Sequence, residues 1–304
     1  MNNPKVTLVT SLQYPQLRDD EQALPQLLEK SGITVELQAW NDESVDWDNA
    51  GICILRSLGD YDSKSEKFLE WARSIKHLMN PIGIISWNRD RHFLKEFAAQ
   101  GINVVPTIWL ESESNLSKIQ VHSRFPSSGD FVVKPAMYTA GIDVGRYCAN
   151  SVASRGEAIE HAMKLLGEGY SVMVQKYLEE IDHKGEISLI YFNGILSHVV
   201  EKAPTLHSSY KIGESVPQEE YKNIEITPEI WEFSEKVRAA IHKKITSVVG
   251  HDLLSLYARI DIVPDGQGSF YLMDASLIDS RLYFASNKDN LEKFANAIAA
   301  RVYW

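Results

Sequence analysis

Two periodicities alternate along the first hundred residues. Val6–Thr10 reads as a short apolar strand, and Asp19–Lys30 carries Ala23, Leu24, Leu27 and Leu28 at helical spacing behind an acidic start. Gly32 stops that helix, Ile33–Trp40 and Ile52–Arg56 read as strands, and Ser63–Ser74 as a helix with Phe68, Leu69 and Ala72 on one face. Gly83–Ser86 reads as a further short strand, followed by a helix over Arg89–Ala99. The order βαββαβα predicts an open, mostly parallel sheet with helices on its faces.

After Gly101 the texture changes. Val104–Leu110 is extended, and the polar, serine-rich Glu111–Ser128 reads as a connector. Phe131–Lys134 is a strand ending in a lysine, Gly156–Leu166 a helix and Ser171–Tyr177 a strand. Alternation on both sides of Asn193-Gly194 predicts a hairpin of Ile187–Asn193 with Ile195–Glu201. Pro228–Val249 reads as a long helix, Leu256–Val263 and Ser269–Leu277 as a second hairpin, and Asn287–Arg301 as an amphipathic closing helix. The fold class is α/β, passing to α+β in the C-terminal half.

Composition narrows the function classes. The 304 residues carry 31 Lys+Arg against 41 Asp+Glu, a net charge of −10. That balance argues against a dedicated nucleic-acid or anionic-membrane binder, while leaving room for a small anion held by a few local lysines. The 13 tyrosines and 7 tryptophans have no basic stripe beside them, so nucleic-acid stacking is not expected. No two of the nine histidines sit at i,i+4, and Cys53 and Cys148 lack a metal spacing, so zinc is not expected either. The start of the chain lacks a long apolar run after its lysine, and no stretch approaches the ~18 apolar residues of a membrane span. A soluble, cytoplasmic protein is the expectation.

Leu256–Leu277 holds the most informative chemistry. If pairing is symmetric about the turn, Asp261 faces Asp274 and Val263 faces Leu272, leaving Gly266–Ser269 as the loop. Arg259 and Ser276 then share the carboxylate face. Two facing carboxylates repel unless a cation bridges them, and hard oxygen ligands suit Mg²⁺. The other reading is one carboxylate paired with Arg259 and the other at a solvated edge. Lys134, at the end of FVVKP, could point at a phosphate or simply extend its amine to water. Val172–Leu178 followed by Gly185-Glu186 could offer backbone groups to a flat ring and a carboxylate to ribose hydroxyls, and by itself decides nothing.

Taken in order, these pieces — a lysine-ended strand, a hinge strand, Gly-Glu, Lys202 after a hairpin, Arg259-x-Asp261 and an acidic strand — resemble the ATP-grasp superfamily over nearly the whole chain. Ala39-Trp40-Asn41-Asp42, Val45-Asp46-Trp47, Leu55-Arg56-Ser57 with Asp60-Tyr61, Asn80-Pro81, Trp87-Asn88 and Pro106-Thr107 resemble its glutathione-synthetase-like branch, which includes an O-ureido-serine cyclo-ligase. The resemblance implies an N-terminal α/β domain (1–88) and central (89–177) and C-terminal (178–304) subdomains that clamp ATP. It implies that Lys134 holds the α/β-phosphates and that Gln175 faces the adenine amino group. Lys176, Tyr177 and Leu178 would form the hinge, Glu186 would stand near ribose, and Lys202 near phosphate. Arg259 would bind an acyl phosphate, with Asp261, Asp274 and Ser276 at the Mg²⁺ position.

The chain departs from the family pattern in four places. Ser276 stands where relatives carry Asn or Glu, and Arg91 replaces a lysine with a guanidinium of different donor geometry. Leu206–Lys211 replaces a glycine- and arginine-containing stretch, and Ser280 a proline. The implied activity is an ATP-dependent, ADP-forming ligase acting on a small amino-acid-like substrate through an acyl phosphate. Tyr138–Gly145 would close over the site, and a homodimer is what the resemblance suggests. A peptide-modifying macrocyclase and a nucleotide-binding protein without turnover are the alternatives.

Overall fold

In the computed structural model, which describes residues 3–59, 61, 65–137, 143–206 and 219–303, the N-terminal segment forms the parallel sheet. β1 (Lys5–Thr10), α1 (Leu24–Lys30), β2 (Thr34–Ala39), β3 (Ile52–Leu55), α2 (Ser65–Ser74) and β4 (Leu78–Met79) follow one another. The strands lie in the order β2-β1-β3-β4, all pairs parallel. Asp19–Lys30 is not one helix: a 3-10 turn at Asp19–Glu21 precedes α1, and Pro25 occupies its first turn, where a missing N–H costs nothing.

Gly83–Ser86 is not a strand; it lies inside α3 (Ile82–Asn88), and the fourth strand is Leu78–Met79. A short apolar run does not distinguish a buried strand from a buried helix. Pro81, extended at the N-cap, was the available cue. A Cβ at Gly83 would meet Val248 Cγ1 at 2.5 Å, so a larger residue there has to displace that exposed side chain. The next helix, α4 (Phe93–Ala99), starts four residues later than expected. Residues 89–92 instead form a turn that docks on the following subdomain, with Arg91 N–H donating to Ala136 O.

β5 (Thr107–Leu110), α5 (Lys118–Arg124), β6 (Asp130–Pro135), β7 (Gly145–Cys148), α6 (Val152–Gly167) and β8 (Val172–Lys176) build an antiparallel sheet in the order β5-β8-β6-β7. The connector Glu111–Ser128 contains α5, whose start is a reciprocal capping box between Ser117 and Gln120. A short α7 (Glu180–Lys184) leads into β9 (Glu186–Phe192), β10 (Ile195–Lys202), β11 (Tyr221–Asn223), α8 (Pro228–Val249), β12 (Tyr257–Pro264), β13 (Phe270–Ser276) and α9 (Asn290–Tyr303). These strands form a second antiparallel sheet, β11-β10-β9-β12-β13.

The cores cross from one sheet to another. Ile84, Phe93 and Phe97 of α3 and α4 pack with Val237 and Ile241 of α8 and with Leu189 and Ile260 on one face of the C-terminal sheet. On its other face Ile190, Phe192 and Tyr257 join Phe294 and Ile298 of α9 and Val6, Leu8 and Leu28 of the N-terminal domain. Both segments flanking residue 88 therefore rest on the C-terminal sheet. No helix among the described residues is long and apolar enough to cross a membrane.

Candidate active site

Where the central and C-terminal sheets approach, they enclose a cavity of about 210 Å³. Val105, Val132, Val144, Ile181, Leu206 and Met273 make its walls apolar. Five cationic side chains line it (Arg91, Lys134, Lys176, Lys202, Arg259) against three carboxylates (Glu186, Asp261, Asp274). An apolar slot with an excess of positive charge suits a flat ring attached to a polyanion.

The second hairpin supplies the acidic pair. Asp261 pairs with Asp274 and Arg259 with Ser276, as expected, but the register slips immediately afterwards, so that Ile262 faces Leu272 and Val263 faces Tyr271. Val263 therefore does not face Leu272, and the turn spans 265–269. The extra residue is Met273. A bulge sends two neighbours to one side of a strand, and both Met273 and Asp274 line the cavity. Lys134 Nζ lies 4.0 Å from Met273 Sδ.

Each carboxylate is matched by cations. Asp261 is 3% exposed. It accepts from Arg259 Nε at 3.0 Å and from the Ser188 hydroxyl, and Lys202 Nζ is 3.5 Å away. Burial disfavours its charge, but Arg259 and Lys202 more than offset this and hold the carboxyl below its ordinary value. Asp274 accepts from Arg91 Nε at 3.0 Å. Repulsion between the two carboxylates is thus already offset by the protein: Asp261 pairs with Arg259, as one of the two sequence readings has it, and Asp274 meets Arg91 rather than a solvated edge. Asp261 and Asp274 offer the hard oxygen donors that Mg²⁺ takes. Among the described residues no cluster of three or more His, Cys, Asp and Glu side chains forms a full cage.

Lys202 is 6% exposed and bonded to Glu186 at 2.9 Å. Burial opposes its charge, yet Asp261 and Glu186 raise its pKa above the ordinary lysine value. Gly185 permits this approach, since a Cβ there would lie 2.1 Å from Lys202 O. Lys134, from the end of β6, makes no ion pair with a described residue, and burial, then Arg91, lower its pKa to about 8. Gln175 is nearly buried, with its Nε2 donating to Thr107 Oγ1 at 2.8 Å. Lys176, Tyr177 and Leu178 form the cavity rim beyond it.

Ser276 stands apart from the acidic pair's cavity. It lines a smaller one with Asn88, Arg89, Arg91, Arg259 and Asp274, and its Oγ accepts from the Ser280 hydroxyl at 2.7 Å. Arg91, Arg259 and Asp274 line both cavities. Arg259 also donates to Arg281 O. Of the expected cover Tyr138–Gly145, residues 138–142 lie outside the described residues, as do 207–211 of the divergent stretch.

Two supporting residues escaped the sequence reading. Ser188 alternates with Glu186 on β9 and pairs with Asp261 across the sheet, a period-2 signal that was available. Arg146 on β7 bonds Asp130, Asp182 and Leu206 O and lies 3.5 Å over the Tyr177 ring, tying Tyr177 to the central sheet. No local pattern announces it.

Residues 6–80 match the family model for the N-terminal domain of D-cycloserine synthetase DcsG. The cycloserine biosynthesis protein DcsG of Streptomyces lavendulae is 29% identical over 290 residues, 92% of this chain and 93% of that protein. The crystal structure of D-cycloserine synthetase DcsG superposes with a TM-score of 0.86 at 25% identity, over 98% of this chain and 99% of that one. The chain has the ATP-grasp fold. D-alanine–D-alanine ligase from Bacillus anthracis shares this ATP-grasp fold at TM-score 0.66 and 16% identity, with 98% of each chain covered. The ATP-grasp ligase PsnB, solved with minimal precursor, Mg and ADP, does so at 0.59 and 13% over 98% of each.

Proposed function

We propose that this ATP-grasp protein is an ATP-dependent, ADP-forming ligase that couples the carboxylate of a small amino-acid-like substrate to a nitrogen nucleophile. The observation that carries the reading is the sharing of Arg91, Arg259 and Asp274 by two cavities. The larger one suits a nucleotide. The smaller one adds Arg89, a further guanidinium beside Arg91 and Arg259 that suits a carboxylate.

In this reading the adenine lies in the apolar slot, with Gln175 and the backbone of Lys176, Tyr177 and Leu178 at its polar edge. Glu186 is the ribose partner. Lys134 and Lys202 hold phosphate oxygens, and Arg91 orients Asp274. Asp261 and Asp274 would hold Mg²⁺, which would supply additional positive charge against the phosphates; Ser276 does not line the cleft with them. The substrate carboxylate, steered by Arg89 and Arg259, attacks the γ-phosphorus while the bond to the β-phosphate oxygen breaks. Lys134, Lys202 and Arg259 spread the charge of the transferring group. Nitrogen then attacks the acyl carbon, loses its proton and displaces phosphate.

DcsG, the relative with the highest structural similarity reported above, favours an intramolecular version in which the nucleophile belongs to the same molecule. Mg·ATP offered with amino acids, dipeptides and ureido-amino acids should release ADP for at least one class. ADP appearing with none of them, in a protein that still binds ATP, would favour the binding protein without turnover.

A further inference from the structure

The base end of the cleft contains a hydrogen-bond relay. Thr107 on β5 pairs in register with Gln175 on β8. Its Oγ1 donates to Val105 O at 2.8 Å and lies 2.8 Å from Gln175 Nε2. A hydroxyl carries a single proton. With that proton given to the Val105 carbonyl, Thr107 Oγ1 can only accept, and the atom facing it must be the amide nitrogen. The two ends of a glutamine amide are otherwise interchangeable in shape. Here the relay fixes which is which, and Oε1 is turned away from Thr107. Gln175 is 3% exposed, lines the cleft, and has no described partner on Oε1. Thr107 does not line the cleft.

We infer that Thr107 is a positioning residue that sets base selectivity: it locks Gln175 so that the cleft meets an acceptor rather than a donor. This rests on the nucleotide reading of the cleft. A 6-aminopurine offers an N–H to that oxygen. A 6-oxopurine brings a second acceptor against it and leaves both unsatisfied, which a buried site penalises. If the amide could turn, its Nε2 would serve the 6-oxo group equally well. Selectivity would therefore be stored in a threonine that never touches the nucleotide.

Calorimetric titration with Mg·ATP and Mg·ITP tests this without knowledge of the acceptor substrate, since the two differ only at the 6-position side of the purine. Wild-type protein should prefer ATP by at least about tenfold, the worth of one buried hydrogen bond made against one denied. Thr107→Val, which keeps the shape and removes the hydroxyl, should bring the ratio close to one. Thr107→Ser should restore the wild-type ratio, an outcome that a general loss of strand packing would not produce. Equal binding of ATP and ITP by the wild type overturns the inference on its own, whether or not the valine variant folds. So does an unchanged ratio in Thr107→Val. Failure of the wild type to bind either nucleotide overturns the nucleotide reading of the cleft, and this inference with it.

Discussion

Arg56 and Lys202 are both buried cations among carboxylates, yet their neighbourhoods differ. Arg56 has no solvent exposure and is bonded through Nε to Glu21 at 3.0 Å. It also donates to Ser280 O and lies over the rings of Tyr257 and Phe294. Arg18 and Asp279 complete that cluster, Arg18 Nη2 donating to Asp279 Oδ1 at 2.8 Å. Two cations meet two anions, and the N-terminal domain is fastened to the segment after β13. Lys202 lines a cavity in which cations outnumber carboxylates, and Arg91, Lys134, Arg259, Asp261 and Asp274 line it too. The first cluster is neutral and closed, a fastening. The second holds surplus charge beside empty space, which is what a polyanionic ligand requires.

Substitutions should separate the two. The largest effect is expected from Asp261→Asn in the open cluster. Deleting that charge should lower ADP formation on the order of 10³-fold, several kcal/mol of transition-state stabilisation. A turnover assay at saturating ATP checks it. In the closed cluster, Arg56→Met leaves Glu21 buried beside only Arg18 and should destabilise the fold by about 3–5 kcal/mol, measured by urea titration. Adding Glu21→Leu should recover most of that loss, and the folded protein should keep its nucleotide affinity. If Arg56→Met instead abolishes ATP binding at full stability, the fastening interpretation fails.

Lys134→Ala should weaken ATP binding by about 1.5–3 kcal/mol, roughly ten- to a hundredfold, with little change in melting temperature. The smallest effect concerns pH. Burial, reinforced by Arg91, leaves the Lys134 ammonium with a pKa of about 8 in the free protein. Bound phosphate favours the charged form and raises that value. Affinity should thus be fully present below pH 8 and fall by about tenfold per unit above it, until the pKa of the complex is reached. Lys134→Arg, always charged, should flatten the slope between pH 8 and 9.

Much of this arrangement was legible in residue order, for identifiable reasons. Alternation and turn chemistry placed Arg259, Asp261, Asp274 and Ser276 on one face, because strand period and a short loop leave few registers. The Met273 bulge was not legible, since one extra residue changes no local pattern. α3 was misread because a four-residue run holding two isoleucines carries no period, and α5 because its serine-rich surroundings obscured the Ser117–Gln120 cap. Arg56 was placed only at the end of a strand; its burial is explained by its distant partners Glu21 and Ser280. Thr107 and Arg146 act through strands far apart in sequence, which residue order does not bring together.

The central claim is that the open cluster between the two antiparallel sheets is a nucleotide site. Calorimetric titration of the wild-type protein with ATP in the presence of Mg²⁺ tests it most directly, with a thermal melt on the same sample. Saturable binding with a raised melting temperature is predicted, because a ligand that favours the folded state stabilises it by mass action. A saturating titration with neither heat nor a shift in melting temperature would contradict the account.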